Sequence, residues 1–144
     1  EYLSKQVFGF PEKVEKLNSI VHPRVIRRSA ALLEMELEFS DIVFYEAALI
    51  FEAGMAGRFD LVLLITAEEE IRLQRALSRG GLSEEGIRRR MISQISEEEK
   101  IRRSNFVIVN DGTEEEFEAK LEKFLQILEN DEMELTTVNP RFIE

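Results

Sequence analysis

The 144-residue chain has no cysteine and a single histidine, His22. Disulfides, cysteine–zinc centres and thiol nucleophiles are therefore excluded, and so is any site built from several histidines. No Ser/His/Asp set can be assembled around one unplaced imidazole. No apolar run approaches the roughly 20 residues of a membrane span, and no signal-peptide pattern stands at the start. Neither a G-x-x-x-x-G-K-[ST] loop nor a G-x-G-x-x-G turn occurs, so no residue run offers the glycine-rich backbone cradle that holds phosphates. Repeats and low-complexity linkers are also lacking. Positive charge is scarce: 19 Lys and Arg stand against 29 Asp and Glu, a formal net charge of −10. General nucleic-acid binding, which rests on basic charge meeting phosphate, is not expected. Without cysteine, leader or span, a cytoplasmic home and no membrane partner are expected.

What is present suits a folded domain. At 44% hydrophobic residues the chain can bury a core, and at 33% charged residues it should stay in solution. Its first residue is Glu1, and Glu1-Tyr2-Leu3-Ser4-Lys5-Gln6-Val7-Phe8 reads like the middle of a helix, so a segment before it is expected. Residues 1–40 read as helical. Pro11 suits a first helical position, with Val14, Leu17 and Val21 following at helical spacing. His22-Pro23 is expected to end that helix, because proline disfavours helical geometry in the residue before it. A second helix is then expected from Arg24 to about Phe39.

Three unalternated apolar runs follow: Ile42-Val43-Phe44-Tyr45, Leu61-Val62-Leu63-Leu64-Ile65 and Phe106-Val107-Ile108-Val109. Such runs fit strands buried on both faces, as in a parallel sheet. Helical stretches separate them. Thr66-Ala67-Glu68-Glu69, Ser96-Glu97-Glu98-Glu99 and Thr113-Glu114-Glu115-Glu116 each have the form of a capping box. Phe117, Leu121, Phe124 and Leu128 make one stripe of a helix over 114–130. The alternation predicts an α/β fold. From about Asp131 to Glu144 the chain reads as a frayed tail.

Four features could carry chemistry. Nine of the 19 basic residues lie between Arg72 and Arg103, and Arg72, Arg75 and Arg79 share one helix face. Gly80-Gly81 and then Ser83, a helix cap, lead into a second arm with Arg88, Arg89 and Arg90. Guanidinium groups grip phosphate with paired donors, so this hairpin reads as a mobile lid over polyphosphate. The plainer reading is a solvated surface laced with Glu–Arg pairs. Glu46 would stand at the carboxyl end of a buried strand, where α/β sheets bind ligands and where it could hold Mg²⁺ through water. A helix cap or surface charge explains it equally, and explains Glu52 better. His22 reads first as a packed or capping residue. Asn110-Asp111-Gly112 is a tight turn after a strand that could shape the rim of a nucleotide pocket.

In order along the chain these signals resemble the dephospho-CoA kinase family. Val7-Phe8 and Leu17-Asn18-Ser19-Ile20-Val21-His22-Pro23-Arg24-Val25 are similar to its VF…LN-x-I-x-HP-x-V stretch. Glu46-Ala47-Ala48-Leu49-Ile50-Phe51-Glu52 resembles its D/E-x-P-L-L-F-E segment, with Ala48 in place of the proline. Gln74-Arg75, Arg79, Leu82-Ser83, Arg90 and Gln94 follow its QR-x₃-R…S…R-x₃-Q lid pattern. Ile108-Val109-Asn110-Asp111-Gly112 fits its last strand and turn. The likeness covers roughly residues 3–128.

The resemblance implies transfer of the ATP γ-phosphate, carried as the Mg²⁺ complex, to the ribose 3′-hydroxyl of dephospho-CoA. It implies a three-layer P-loop kinase fold with a parallel sheet, a helical substrate-binding region (1–40), a kinase core (41–130) and a lid hairpin at about 72–103. By position, His22 and Arg24 would lie in the substrate region, Glu46 at the strand end facing the phosphates, Arg75, Arg79, Arg90 and Gln94 in the lid, and Asn110 near the adenine. The family's first strand, its P-loop and its second strand with an acidic general base have no counterpart here. The first strand would lie between the two formed by 42–45 and 61–65. Its absence should open a gap that exposes strand edges, so the chain alone is expected neither to fold natively nor to phosphorylate, unless its strands pair differently or another chain fills the gap. Two rival readings are a different small P-loop nucleoside or nucleotide kinase, and a non-catalytic α/β module whose arginine hairpin binds an acidic partner.

Overall fold

A computed structural model describes residues 6–7, 10–130 and 140–144. The chain divides into two compact units, Glu1–Met55 and Ala56–Glu144.

The first unit is dominated by helix α1, Pro11–Leu37, with Pro at its first position. The break expected at His22-Pro23 does not occur, since Pro23 lies inside one continuous 27-residue helix. Proline there removes a single main-chain bond and crowds the preceding turn. The flanking run from Ala30 to Leu37 is made of strong helix formers that carry the helix through. Ile42-Val43-Phe44-Tyr45 is not a strand, contrary to expectation, and Phe44 is 64% exposed. A strand exists only by pairing its amides and carbonyls, and no strand lies beside this run among the described residues. The segment after it closes in turns, with Ala53 N–H donating to Leu49 O at 2.9 Å and Met55 N–H to Ile50 O at 2.9 Å. Phe51 and Met55 are buried there. The opening residues 1–5 and Phe8, read as helical from sequence, lie outside the described residues.

The second unit holds a three-stranded, all-parallel sheet of order β1 (Leu63–Thr66), β2 (Phe106–Val109) and β3 (Arg141–Ile143). Between β1 and β2 run helices α2 (Glu69–Ser78), α3 (Glu84–Ile92) and α4 (Glu97–Arg103); α5 (Glu114–Glu129) follows β2. The parallel α/β class expected from the strand–helix alternation is what forms. Strand β2 matches its apolar run residue for residue and is the central strand, with Val107 and Ile108 fully buried. The 61–65 run forms its strand two residues late. Asn105 explains part of this: its side-chain Oδ1 accepts from Val62 N–H at 2.9 Å, and its N–H donates to Val62 O.

The frayed tail is corrected in part, because Arg141–Ile143 adds to β2 as a third strand, with Ile143 buried opposite Ile108. Residues 131–139 lie outside the described residues. Phe106, Ile108, Ile143, Phe124 and Ile127 form the core, with Phe117, Leu121 and Leu128 packed on it. The expected stripe of α5 therefore does face the sheet. Phe106 and Phe124 meet edge to face at 5.2 Å between ring centres. β1 is a terminal strand whose outer edge has no partner among the described residues, and its Ile65 is 49% exposed.

Candidate nucleotide-facing rim of the sheet

Strands β1 and β2 end level with each other, Thr66 opposite Val109. Each is followed by a turn into a helix, so two helix starts meet at the carboxyl rim, where open α/β sheets take ligands. Asp111 joins the two turns, its Oδ1 accepting from Glu68 N–H at 2.8 Å. The capping box expected at 66–69 does not form. Thr66 is kept in the strand by Asn110 N–H donating to its carbonyl at 2.7 Å, and its hydroxyl donates to Glu97 at 2.5 Å. Glu68 is the N-cap instead and makes no side-chain cap bond.

Of the other two expected boxes, the one at Thr113 forms in full and the one at Ser96 only by its hydroxyl half. Ser96 Oγ accepts from Glu99 N–H, and Thr113 with Glu116 makes a full reciprocal box at the start of α5. The Glu98 and Glu115 carboxyls are each held below their ordinary value, chiefly by their own main-chain N–H and then by the capping hydroxyl of Ser96 or Thr113. A Cβ on Gly112 would run into the Glu116 carboxylate. Gly112→Ala is therefore expected to push Glu116 out of the box at a cost of about 0.5–2 kcal/mol. Urea denaturation checks this, and the loss should shrink once Glu116 is already alanine.

Arg75 on α2 is brought to Asn110. Its Nη1 donates to Asn110 O at 2.7 Å and its Nη2 reaches Gly112 O at 3.5 Å, so one guanidinium straddles the turn after β2. Beside Asn110 opens a cavity of about 360 Å³, lined among others by Val109, Gly112, Phe117, Lys120 and Lys123. Lys120 Nζ donates to Val109 O at 3.0 Å and closes that strand end.

The arginine hairpin has the expected shape. α2 and α3 pack together across Gly80 and Gly81, whose φ values are +72° and +86°, and Ser83 caps α3 by accepting from Gly86 N–H. Several of its cations are already matched. Arg88 sits 2.9 Å from Glu84, 3.6 Å from Glu69 and 3.7 Å from Glu70, which ties α3 to the start of α2; its guanidinium is raised above its ordinary value, first by the Glu84 bond. Arg89 pairs with Glu85 and Arg102 with Glu99. For Arg88, Arg89 and Arg102 the solvated-surface reading fits, and exposed, salt-screened pairs of this kind contribute little to stability. Arg79 is different: it caps α2, is exposed, and makes no ion pair among the described residues. Arg90 is exposed on α3.

A half-buried cluster that the sequence did not suggest lies under the hairpin. Glu97 accepts from Thr66 and from Arg72 Nη1 at 2.9 Å, and Lys100 Nζ lies 3.6 Å from it. Lys100 in turn donates to Gln94 Oε1 at 2.7 Å. The side chains of Lys100, Glu97 and Arg72 are 11%, 23% and 32% exposed. In the sequence Glu97 stands among acidic residues at a helix start, a pattern that first suggests a cap. His22, half-buried on α1, Arg24, exposed on α1, and the exposed Glu46 belong to the first unit.

Parallel strands, crossover helices and a polar, arginine-bearing carboxyl rim define an open α/β protein, a class that takes ligands at such a rim. The family model for dephospho-CoA kinase matches residues 1–116. Dephospho-CoA kinase of Deinococcus radiodurans is 41% identical over 128 residues, 88% of this chain and 62% of that protein. The Thermus thermophilus enzyme is 37% identical over 123 residues, 85% of this chain and 60% of that one. Among solved structures, a Thermus thermophilus crystal structure superposes with a TM-score of 0.70 at 39% identity, covering 88% of this chain and 65% of that one. Dephospho-CoA kinase from Campylobacter jejuni gives 0.60 at 30%, covering 92% and 66%. The chain belongs to the dephospho-CoA kinase family. It spans less than two thirds of the length of the curated relatives named here.

Proposed function

We propose that the protein transfers the γ-phosphate of ATP, bound as its Mg²⁺ complex, to the ribose 3′-hydroxyl of dephospho-CoA. Besides family membership, the observation that carries this reading is the Arg75 fork. It seats the first arm of the arginine hairpin on the Asn110–Gly112 turn, at the end of the sheet where nucleotides bind. In this reading the cavity beside Asn110 takes the adenine, and Arg79, Arg90 and Gln94 close on the phosphates, with Arg75 setting the hairpin in place. His22 and Arg24 serve the dephospho-CoA side, and Glu46 faces the phosphates. Phosphoryl transfer depends on positioning and on neutralising charge, which a lid of arginines supplies.

Among the described residues no group of three or more His, Asp or Glu side chains could hold a metal ion. With nucleotides Mg²⁺ is ordinarily held by phosphate oxygens, water and one or two carboxylates, which needs no such group. No described helix is long and apolar enough to cross a membrane; a cytoplasmic location is proposed from the family likeness alone. The given sequence contains no G-x-x-x-x-G-K-[ST] run. The reading therefore gives this chain the lid and the adenine rim, and the chain by itself is expected to be inactive.

The test is made on the complete protein encoded by its gene, incubated with MgATP and a panel of acceptors. Phosphate should appear on dephospho-CoA. Phosphorylation of a nucleoside or nucleotide with none on dephospho-CoA would overturn the assignment in favour of a different small kinase.

A further inference from the structure

The Gln94–Lys100–Glu97 chain beneath the hairpin has a direction built into it. An ammonium group offers only donors. The Gln94 amide, 2.7 Å from Lys100 Nζ, must therefore turn its carbonyl oxygen toward the lysine and its NH₂ away. Lys100 is held in turn. Its side chain is nearly buried, its ammonium lies 3.6 Å from Glu97, and its main-chain carbonyl accepts from the buried Ser104 hydroxyl at 2.8 Å. Glu97 is fixed from two further sides by Thr66 and Arg72. The Gln94 NH₂ makes no hydrogen bond among the described residues.

We propose that Lys100 is a positioning residue: it fixes the polarity of the Gln94 amide so that the NH₂, and not the oxygen, is presented to an anionic oxygen of the bound nucleotide. The proposal rests on the reading that the hairpin closes over polyphosphate. An amide turned the other way would set a carbonyl oxygen against a phosphate oxygen and convert an attraction into a repulsion. Without Lys100 both orientations are open. With it, one is selected before the ligand arrives.

The experiment uses the complete protein and reads the affinity for MgATP by calorimetry, which needs no acceptor and is thus separate from whether dephospho-CoA is the substrate. Lys100→Met keeps the buried stem and leaves Glu97 with Thr66 and Arg72. Gln94→Leu is expected to weaken MgATP binding roughly tenfold, the size of one charge-assisted hydrogen bond, and Lys100→Met about threefold, since about half of the freed amides still present the NH₂ and the loosened side chain must be ordered on binding. The double variant should be no weaker than Gln94→Leu alone, and Lys100→Arg should restore most of the affinity.

Gln94→Glu covers the case in which Lys100→Met fails to fold. It keeps and strengthens the bond to Lys100 while removing the NH₂, so it should raise the melting temperature or leave it unchanged, yet lose affinity tenfold or more. Unchanged affinity in Lys100→Met, Gln94→Leu or Gln94→Glu would overturn the proposal. So would losses that multiply to about thirtyfold in the double variant, because Lys100 would then act independently of Gln94. Absence of MgATP binding by the unaltered complete protein would overturn both this proposal and the kinase reading, whereas MgATP binding without phosphorylation of dephospho-CoA would overturn only the latter.

Discussion

Arg79→Ala in the complete protein is expected to lower kcat/KM for phosphorylation of dephospho-CoA by roughly 10²–10³-fold, the usual loss when one donor aimed at developing charge is removed. Stability should hardly move. Arg79 is exposed at the carboxyl cap of α2, and its structural contribution is a main-chain bond, its N–H donating to Arg75 O, which alanine retains. Steady-state kinetics beside a melting curve separate the two effects. Arg89→Ala is the matched control, because its exposed pair with Glu85 already occupies the cation and its loss should alter turnover little. Equal activity in Arg79→Ala and the unaltered protein would return Arg79 to the solvated surface, together with the other hairpin arginines that face carboxylates.

Phe124→Ala is expected to cost about 3–5 kcal/mol, the range for emptying an aromatic site in a packed core. Phe124 is 2% exposed, stands edge to face with Phe106, and joins the contact of α5 with β2 and β3. Against a typical total of about 5–15 kcal/mol this is a large fraction, and the variant should be partly unfolded near body temperature. Urea unfolding followed by circular dichroism gives the number. A loss below about 1 kcal/mol would mean that the α5–sheet layer is not what holds this unit together. Ile127→Val, which removes one methylene from the same layer, should cost only about 0.5–1.5 kcal/mol.

The contrast between Phe106-Val107-Ile108-Val109 and Ile42-Val43-Phe44-Tyr45 shows how far sequence reaches. Both runs are short, apolar and β-branched, and each reads equally well as a buried strand. One lies in the middle of the sheet and the other is irregular chain, because strand formation is decided by whether a neighbour offers a hydrogen-bonding edge, a non-local fact. The same cause hid β3, whose three residues become a strand only against β2. Local signals fared better. Ser83, Ser96 and Thr113 cap the helices they were expected to cap, since a cap is settled within four residues. Thr66 had an equally good local signal and failed, as Glu97, 31 residues away, takes its hydroxyl. At the rim, sequence marked Arg75 and Asn110 separately. Their contact across 35 residues, and the Gln94–Lys100–Glu97 chain, became visible only through folding.

The turn between the arms of the hairpin is shaped by handedness and not by space. At both Gly80 and Gly81 an added Cβ would meet no atom within 4 Å, yet both φ values are positive, where an L residue is strained by roughly 1–2 kcal/mol. A mirror-image residue has the opposite preference. D-alanine at these two positions, installed by chemical ligation, would sit at ease in the turn while narrowing the freedom of the unfolded chain. It would therefore stiffen the joint without changing its form. Shape and mobility, which L-residue substitution alters together, become separable at this one bend of the backbone.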